Sequence, residues 1–369
     1  MKERRLNGPK FAPITVPASR RLQTLTVFCH VAALWLSTSI FFLCCAIPLF
    51  WPFIIAYLFY LRFERSYSDG SGKRCEWIRY SRLGKWFCDF FPLTLIRTVP
   101  LAPTYSWSRA PHSRFWPWVT LPKASEDKPR YVFGIHPHGI IALSIFGVLS
   151  TEGRGWSKLF PGIPTSLLTL DSNFRVPFYR DYLQAFGLSS VSKESCLNLL
   201  KRGSSICIVV GGAQESLLAH PGQMEIILRK RKGFVKIAMS QPNVHLVPIL
   251  AFGENDLYDQ VENDPESKLY RLQTFIKSKL GFAVPLMYGR GVFNYDFGLL
   301  PYRRPVKVVV GNPIAVPYLP DHPVREIERI HGLYVDELMR IWNENKDSYM
   351  EEASTYLGPE SSLSLDIIE

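Results

Sequence analysis

Two histidines on a single tight turn are the residues of this chain best suited to proton transfer. They form His136-Pro137-His138-Gly139, which follows the apolar run 131–135, a predicted buried strand, and precedes a predicted helix. Open α/β sheets present reactive groups to ligands on such turns. Pro137 fixes the backbone between the imidazoles, and Gly139 allows a ligand close to the main chain. An ordinary histidine pKa of about 6.5 suits acid–base chemistry. The alternative is a pair of structural histidines on a polar turn.

Two carboxylates follow the ends of two further predicted strands. Gly211 and Gly212 come directly after the apolar run 206–210 and lead to Glu215. A carboxylate on such a flexible turn suits the orientation of an imidazole or contact with a substrate hydroxyl. Glu254, beyond another predicted strand, is a rival for the same role. The alternative is a glycine-rich turn with a solvated carboxylate.

Four consecutive cations run from Arg229 to Lys232 into a predicted helix that begins near Gly233 and Phe234. The first turn of a helix carries free N–H groups and favours anions. A phosphorylated cofactor such as coenzyme A would suit this segment, with Arg231 and Lys232 nearest the helix. A lipid-head-group patch or a solvated charge run is the alternative.

Predicted strands and helices alternate from residue 131 onward. The predicted strands are 131–135, 166–170, 206–210, 246–250 and 306–310. The predicted helices are 140–149, 177–186, 193–201, 234–240 and 266–279, followed by a last helix through Val335, Leu338, Ile341 and Trp342. This alternation predicts an α/β layered domain.

A long uncharged segment precedes this domain. Residues 22–61 are 40 residues without Asp, Glu, Lys or Arg. One transmembrane helix needs about 20 apolar residues, so the segment is long enough for two, with Pro48 and Pro52 near the turn. Both flanks are basic, which predicts that both lie in the cytosol. We therefore expect a membrane-embedded helical hairpin; a buried core hairpin of a soluble protein is the alternative.

The bulk composition is typical of a membrane-associated protein with anionic partners. The 369 residues carry a net charge of +11, and 47% are hydrophobic and 14% aromatic. The seven cysteines form no Cys-x-x-Cys pair, which argues against a disulfide framework and a structural zinc site. The predicted divisions are a basic cytosolic N-terminus (1–21), the hydrophobic hairpin (22–61), an aromatic and basic interfacial linker (62–130), the α/β domain (131–350) and a loosely ordered tail (351–369).

In their order along the chain, these motifs resemble those of the type-2 diacylglycerol acyltransferase family. The resemblance covers nearly the whole chain. Its segments are 136–139, Phe90-Phe91-Pro92 where many members carry Tyr-Phe-Pro, 231–234 with 246–254, and Val284-Pro285-Leu286 with Gly289-Arg290-Gly291. Pro242-Asn243 departs from the family, which usually has a glycine there. The uncharged hairpin agrees with the family's membrane topology.

The resemblance implies an acyl-CoA-dependent O-acyltransferase that makes triacylglycerol from diacylglycerol, with a glycerolipid-acyltransferase-like α/β domain. The implied partners are acyl-CoA, diacylglycerol and membrane phospholipid, with no nucleic acid, no permanently bound cofactor and no metal; a homo-oligomer is left open. The implied location is the endoplasmic reticulum membrane, with the lipid droplet surface as a second location. The candidate substrate- and cofactor-binding residues are Pro137, Gly139, Gly211, Gly212, Arg231, Lys232, Gly233, Phe234, Glu254 and Arg290.

A comparison with the glycerophospholipid acyltransferases bears on the acceptor. Those enzymes carry an Asp five positions after a His, where this chain has Ile141 and Leu143. They also carry an Arg after a Glu-Gly turn, which binds the acceptor phosphate, and the corresponding turn 211–216 has no Arg. We therefore expect a neutral acceptor: diacylglycerol, with monoacylglycerol or a fatty alcohol as alternatives.

The expected mechanism has His138 as general base for the acceptor hydroxyl as it attacks the thioester. His136 would orient His138 or contact the developing oxyanion, and Glu215 is the preferred carboxylate partner. The chain has no Gly-x-Ser-x-Gly elbow for a covalent serine. Remote alternatives are a membrane lipid hydrolase that uses the same histidines, and a non-enzymatic lipid-droplet protein in which only the hairpin matters.

Overall fold

A mixed eight-stranded sheet lies at the centre of this chain, whose computed structural model describes residues 10–107, 118–261, 271, 286–358 and 364–368. In chain order the strands are β1 (Arg74–Cys75), β2 (Thr94–Arg97), β3 (Trp118–Val119), β4 (Arg130–His136), β5 (Thr165–Thr169), β6 (Ser189–Ser190), β7 (Ser205–Val209), β8 (Gln223–Ile227), β9 (Val244–Phe252), β10 (Asp259–Gln260), β11 (Met287–Tyr288), β12 (Lys307–Val310), β13 (Ile314–Ala315) and β14 (Ser364–Ile368).

The strand order of the central sheet is β2-β12-β9-β4-β7-β5-β6, with β13 beside β9. Strands β4, β5, β6, β7 and β9 are parallel, and β12 runs against β9. His136 pairs with Leu250, and Ile135 pairs with Val209. The carboxyl ends of β4, β7 and β9 therefore meet at one edge of the sheet, which is where such sheets bind ligands.

The two faces of the sheet support two apolar cores. On β4, Phe133 and Ile135 belong to one core, and Val132 belongs to the other. All seven residues of this strand are buried, which explains its nearly continuous apolar sequence. The five predicted strands and the α/β layered class are confirmed, with ends that shift by one or two residues.

The helices flank the sheet on both faces. They are α1 (Ala18–Val31), α2 (Ala33–Cys45), α3 (Trp51–Phe63), α4 (Glu76–Arg79), α5 (Arg82–Phe90), α6 (Leu143–Ile145), α7 (Trp156–Leu159), α8 (Tyr179–Ala185), α9 (Lys193–Arg202), α10 (Gly212–Glu215), α11 (Gly233–Met239) and α12 (Val324–Leu357), with 3-10 turns at Pro48–Phe50, Asp171–Arg175 and Asn255–Leu257. The predicted helix 266–279 lies outside the described residues, apart from Arg271.

The predicted helix 140–149 begins three residues later than expected. Ala142 has a left-handed backbone, with φ of 52°, so the helix begins at Leu143. It then widens into a π-helical turn over Phe146–Ser150. The residues between the histidines and this helix therefore form an irregular turn, which the apolar sequence did not indicate.

The uncharged segment 22–61 falls into three helices, where the sequence analysis expected two. Helices α1 and α2 meet at an angle of 69°, and α3 follows the turn at Pro48–Phe50. Among the described residues no single helix is long and apolar enough to cross a membrane. The bent pair α1–α2, taken together, meets the requirement on length and composition alone. Large apolar side chains on α2 and α3 are exposed, among them Trp35, Phe42, Trp51, Phe53 and Phe63.

Two of the predicted divisions carry more regular structure than expected. The segment 62–130 supplies β2, which pairs in parallel with β12 at the edge of the central sheet. In the tail, expected to be loosely ordered, β14 pairs in parallel with β8. Leu365 and Ile367 of β14 pack against an apolar core. This alternation of apolar residues explains why the tail forms a strand. Residues 108–117 of the linker, which include Trp116, lie outside the described residues.

Candidate active site

His138 is the histidine of the turn that lies nearer the protein surface, since the residue is half-buried and His136 is completely buried. Its Nδ1 lies 2.9 Å from the carbonyl oxygen of Gly139. Because a carbonyl only accepts, Nδ1 carries the proton and Nε2 carries the lone pair. Burial lowers the pKa of His138 below its ordinary value, so the imidazole is neutral at pH 7. Its Nε2 is therefore a base ready to accept a proton.

The Glu215 side chain holds His138 in place through the backbone of His138. One carboxylate oxygen accepts the backbone N–H of His138, and the other accepts that of Ile227 at 2.9 Å. The carboxylate thus links the ends of β4, β7 and β8. A side chain at Gly211 would place its Cβ 1.8 Å from Glu215 Oε2, so this position requires glycine. Glu215 acts as a positioning residue for the turn, whereas the sequence analysis expected it to face an imidazole.

Glu254 holds the other end of the same turn. Its Oε1 accepts the N–H of Leu143 at 2.8 Å, and its Oε2 accepts the N–H of Ser144 at 2.9 Å. These are free donors at the start of α6, so the carboxylate caps that helix. Gly139 has φ of 59°, and a Cβ there would lie 2.6 Å from Glu254 Cγ. The sequence analysis treated Glu215 and Glu254 as rivals for one role. In the structure each carboxylate holds a different end of the histidine turn.

His136 faces away from the surface and is completely buried. Its Nε2 lies 3.0 Å from the hydroxyl of Tyr334 on α12, and that hydroxyl donates to Gly134 O at 2.9 Å. Since the hydroxyl proton is used on Gly134, the His136 Nε2 carries its own proton and donates. Burial lowers the pKa of His136 to about 3, so this imidazole stays neutral. Its Nε2–H donates to Tyr334. The sequence analysis expected His136 instead to orient His138 or to contact the developing oxyanion.

The Tyr334→Phe substitution tests this buried network. Without the hydroxyl, the N–H of His136 and the carbonyl of Gly134 lose a shared partner. We expect the free energy of unfolding to fall by about 1–3 kcal/mol, the usual cost of an unsatisfied buried polar group. Chemical denaturation in detergent measures it, with Tyr318→Phe, which is exposed, as the matched control. An equal effect of the two substitutions would contradict the network.

Burial of Glu215 makes the stability depend on pH. Desolvation raises the pKa of Glu215 to about 7, and the N–H groups of His138 and Ile227 only partly oppose it. The folded protein therefore binds more protons than the unfolded chain between pH about 4.3 and about 7, and the free energy of unfolding falls as pH rises through this window. We expect Glu215→Gln to flatten this slope in thermal unfolding scans. Glu225→Gln on β8 is the control; an unchanged slope in Glu215→Gln would contradict the assignment.

Arg231, one residue of the cation run, reaches the glycine turn, although the turn itself has no Arg. Arg231 donates from Nη2 to the carbonyl oxygen of Gly211 at 3.3 Å. The absence of an Arg within the turn therefore does not leave the turn without a nearby cation. Lys232 pairs with Glu328. Phe234 is buried, and its ring lies 4.8 Å from that of Tyr334, so it packs in the core.

The remaining predicted site residues divide between the turn and a separate region. Pro137, after a cis peptide bond, lies within the histidine turn, and Gly212 begins α10 with φ of 65°. Gly233 begins α11 with open space around it. Arg290 lies elsewhere: its guanidinium is over the Tyr295 ring, 4.7 Å from the centroid.

Tyr334 and Gly134 are the site residues that the sequence analysis missed. A Cβ at Gly134 would lie 2.1 Å from the Tyr334 hydroxyl. The signal in the sequence was a single hydroxyl within the apolar stripe of α12, between Ile330 and Leu338, all three of them buried. Among the described residues, no group of three or more His, Cys, Asp or Glu side chains could hold a metal ion.

Comparisons with known proteins agree on one family. The family model described as diacylglycerol acyltransferase matches residues 42–117 and 114–357. Diacylglycerol O-acyltransferase 1 of Saccharomyces cerevisiae is 42% identical over 91% of this chain and 86% of its own. Diacylglycerol O-acyltransferase 2A of Umbelopsis ramanniana is 43% identical over 94% and 92%. The 2-acylglycerol O-acyltransferase 1 of Bos taurus is 38% identical over 92% and 96%.

Among solved structures, the 1-acyl-sn-glycerophosphate acyltransferase PlsC of Thermotoga maritima matches with a TM-score of 0.35 and 12% identity. The match covers 86% of this chain and 97% of that one. The family assignment does not depend on this weak likeness. It rests on the family model and on relatives above 40% identity over most of both chains. The chain belongs to the diacylglycerol acyltransferase family.

Proposed function

We propose that this chain transfers a fatty acyl group from acyl-CoA to the free hydroxyl of diacylglycerol, with His138 as general base. The observation that carries the proposal is the turn at 136–139. There the half-buried residue His138 has an unprotonated Nε2 and a backbone held at both ends by buried carboxylates. The relatives named as diacylglycerol O-acyltransferases support the acceptor.

In the proposed reaction, His138 Nε2 takes the hydroxyl proton of diacylglycerol as the hydroxyl oxygen attacks the thioester carbonyl carbon. The electron pair of the C=O bond moves to oxygen and then returns as the C–S bond breaks. The imidazolium gives its proton to the departing thiolate, so the products are triacylglycerol and free coenzyme A. A positioned base of this kind contributes about 10²–10⁴-fold, and holding both lipids in place contributes more.

Acyl-CoA enters this proposal as a co-substrate, without a permanently bound cofactor. Arg231 lies at the glycine turn that also carries Glu215, so a phosphate of coenzyme A bound there would lie on the same edge of the sheet as His138. A forked guanidinium suits phosphate oxygens. The exposed cations Arg229 and Lys230 precede it.

A panel of acceptors tests the proposal. Membranes that carry the chain receive labelled oleoyl-CoA together with diacylglycerol, 2-monoacylglycerol or a long-chain alcohol, and the products are separated by chromatography. We expect triacylglycerol from diacylglycerol as the fastest reaction. The bovine relative makes 2-monoacylglycerol the second candidate. A chain that acylates only 2-monoacylglycerol or only the alcohol would contradict the diacylglycerol assignment.

The N-terminal helices are proposed to lie in the endoplasmic reticulum membrane, with both ends of the segment in the cytosol. Exposed apolar side chains along α2 and α3 support the first part, and the basic residues on both flanks support the second. Glycosylation tags inserted before Lys10 and after Arg65 test the topology: both should stay unglycosylated, and modification of either would contradict it. Imaging of a tagged chain distinguishes this membrane from the lipid droplet surface.

A further inference from the structure

Helix α1, the chain just before it and the loop that follows β11 line a half-open cavity of about 600 Å³, and His138 is not among its lining residues. Four arginines line it: Arg20, Arg21, Arg290 and Arg303. The rest of the lining is mostly apolar, including Ile14, Val16, Leu25, Phe28, Val292 and Phe293. Arg290 is buried and Arg303 is half-buried, and such charges are costly unless they are paired.

In the part of the chain that the structure describes, no carboxylate neutralises the positive charge of this cavity. Among the described residues none of the four arginines forms an ion pair with a carboxylate. Arg303 is held by the Gln23 side-chain oxygen at 2.6 Å and the Arg20 carbonyl at 2.9 Å, and it stacks on Phe90 at 4.2 Å. All these partners are neutral, so the guanidinium is oriented without its charge being cancelled.

Arg290 is the most enclosed of the four, with 7% of its surface exposed. Its Nε donates to the Gly291 carbonyl at 3.3 Å, and its guanidinium lies over Tyr295. Burial, together with the positive charges of Arg290 and Arg20, lowers the pKa of Arg303 to about 10. The arginines thus repel one another and any further positive charge. The cavity therefore favours an anion.

The rim of the cavity is apolar and exposed. Ile14 is 91% exposed and Phe293 75%, and the neighbouring Phe11, Phe297 and Leu299 are also exposed. An apolar rim of this kind marks contact with a membrane or an acyl chain. It would not help a small hydrophilic anion, which would gain nothing from these side chains.

We infer that this cavity binds the phosphate head of an anionic amphiphile, whose acyl chain leaves across the apolar rim. An arginine guanidinium can donate two parallel hydrogen bonds to two oxygens of one phosphate. These bonds contribute most to binding free energy where water is excluded. Two sources supply this chemistry: an anionic phospholipid of the bilayer, or acyl-CoA bound here rather than at Arg231. The phospholipid assignment is independent of the proposed function, whereas the acyl-CoA assignment rests on it.

Equilibrium binding to the full-length protein in neutral detergent tests the inference, with labelled phosphatidic acid, labelled oleoyl-CoA and labelled diacylglycerol as probes. We expect Arg290→Gln to weaken binding of phosphatidic acid, of oleoyl-CoA, or of both by at least about tenfold, the loss of one bidentate charge-assisted contact. Diacylglycerol, which has no phosphate, should bind as in the wild type. Arg290→Lys should recover part of the affinity because it keeps the charge.

The control is Arg329→Gln, an exposed arginine paired with Glu326 on α12. If Arg290→Gln unfolds, Arg20→Gln replaces it, because the Arg20 side chain is exposed. Loss of phosphatidic acid binding alone assigns the cavity to phospholipid, and loss of oleoyl-CoA binding alone assigns it to the co-substrate. Unchanged affinity for both would overturn the inference. Intact binding without acyl transfer by the wild type would overturn the proposed function instead.

Discussion

Replacing His138 by glutamine is expected to lower the rate of acyl transfer about 10²–10⁴-fold, the usual contribution of a positioned general base. Glutamine keeps a polar side chain of similar length but has no lone pair of comparable basicity. The turn itself should survive, because Glu215 binds the backbone N–H of this residue and Glu254 binds the helix beyond it. The measurement is the initial rate of triacylglycerol formation, normalised to the amount of protein in the membrane.

His245→Gln provides the matched control for this experiment. His245 is a half-buried histidine near the beginning of β9, so it lies at the opposite end of the strand from Glu254. We expect its variant to keep most of the wild-type rate. A His138→Gln enzyme with undiminished rate would remove His138 as the base.

The Gly211→Ala substitution should have the second largest effect, although it adds only one methyl group. Its Cβ would lie 1.8 Å from Glu215 Oε2, so the carboxylate must leave its position. The backbone N–H groups of His138 and Ile227 then lose their acceptor. We expect a rate loss of about 10²-fold, typical of a catalytic group displaced by about 1 Å. The free energy of unfolding should fall by about 1–3 kcal/mol.

Gly332→Ala serves as the control for added volume. Gly332 lies on α12 with no atom near the position of an added Cβ, and alanine favours a helix over glycine by about 1 kcal/mol. Its variant should be as active as the wild type and slightly more stable. If Gly211→Ala and Gly332→Ala are both fully active, Glu215 does not position the base.

The strands that carry the site could be predicted because they are buried on both faces. Such strands are continuous apolar runs, and β4, β7 and β9 stand out for this reason. Parallel neighbours end at the same edge of a sheet. The sequence analysis therefore identified the residues that meet there: His136 at the end of β4, His138 just after it, Glu215 after β7 and Glu254 after β9.

The contacts between these residues could not be predicted, because they involve the main chain and distant segments. Both carboxylates bind backbone N–H groups, which no residue pattern specifies. Tyr334 is 198 positions from His136. Arg231 reaches the carbonyl of Gly211 only because β8 folds back beside the glycine turn. Long-range packing decided each of these contacts.

The break of the N-terminal segment into three helices has a similar origin. Composition indicated an uncharged segment long enough for two spans, but it carried no information on the bend at Ala32. There α1 turns to pack on the α/β domain: Val27 is buried in its core, and the His30 ring stacks on Phe146 at 3.8 Å. Tertiary contacts thus divide a segment that hydropathy treats as continuous.

The measurement that tests the central claim most directly is acyl transfer by the purified full-length chain in phosphatidylcholine vesicles that contain diacylglycerol. Labelled oleoyl-CoA is added, and triacylglycerol, free oleate and coenzyme A are quantified together. We expect triacylglycerol and coenzyme A in equal amounts, with little oleate. Oleate as the main product would indicate a hydrolase, and no turnover with any neutral acceptor would indicate a non-enzymatic lipid-binding protein. Either result would contradict acyl transfer to diacylglycerol as the function of this chain.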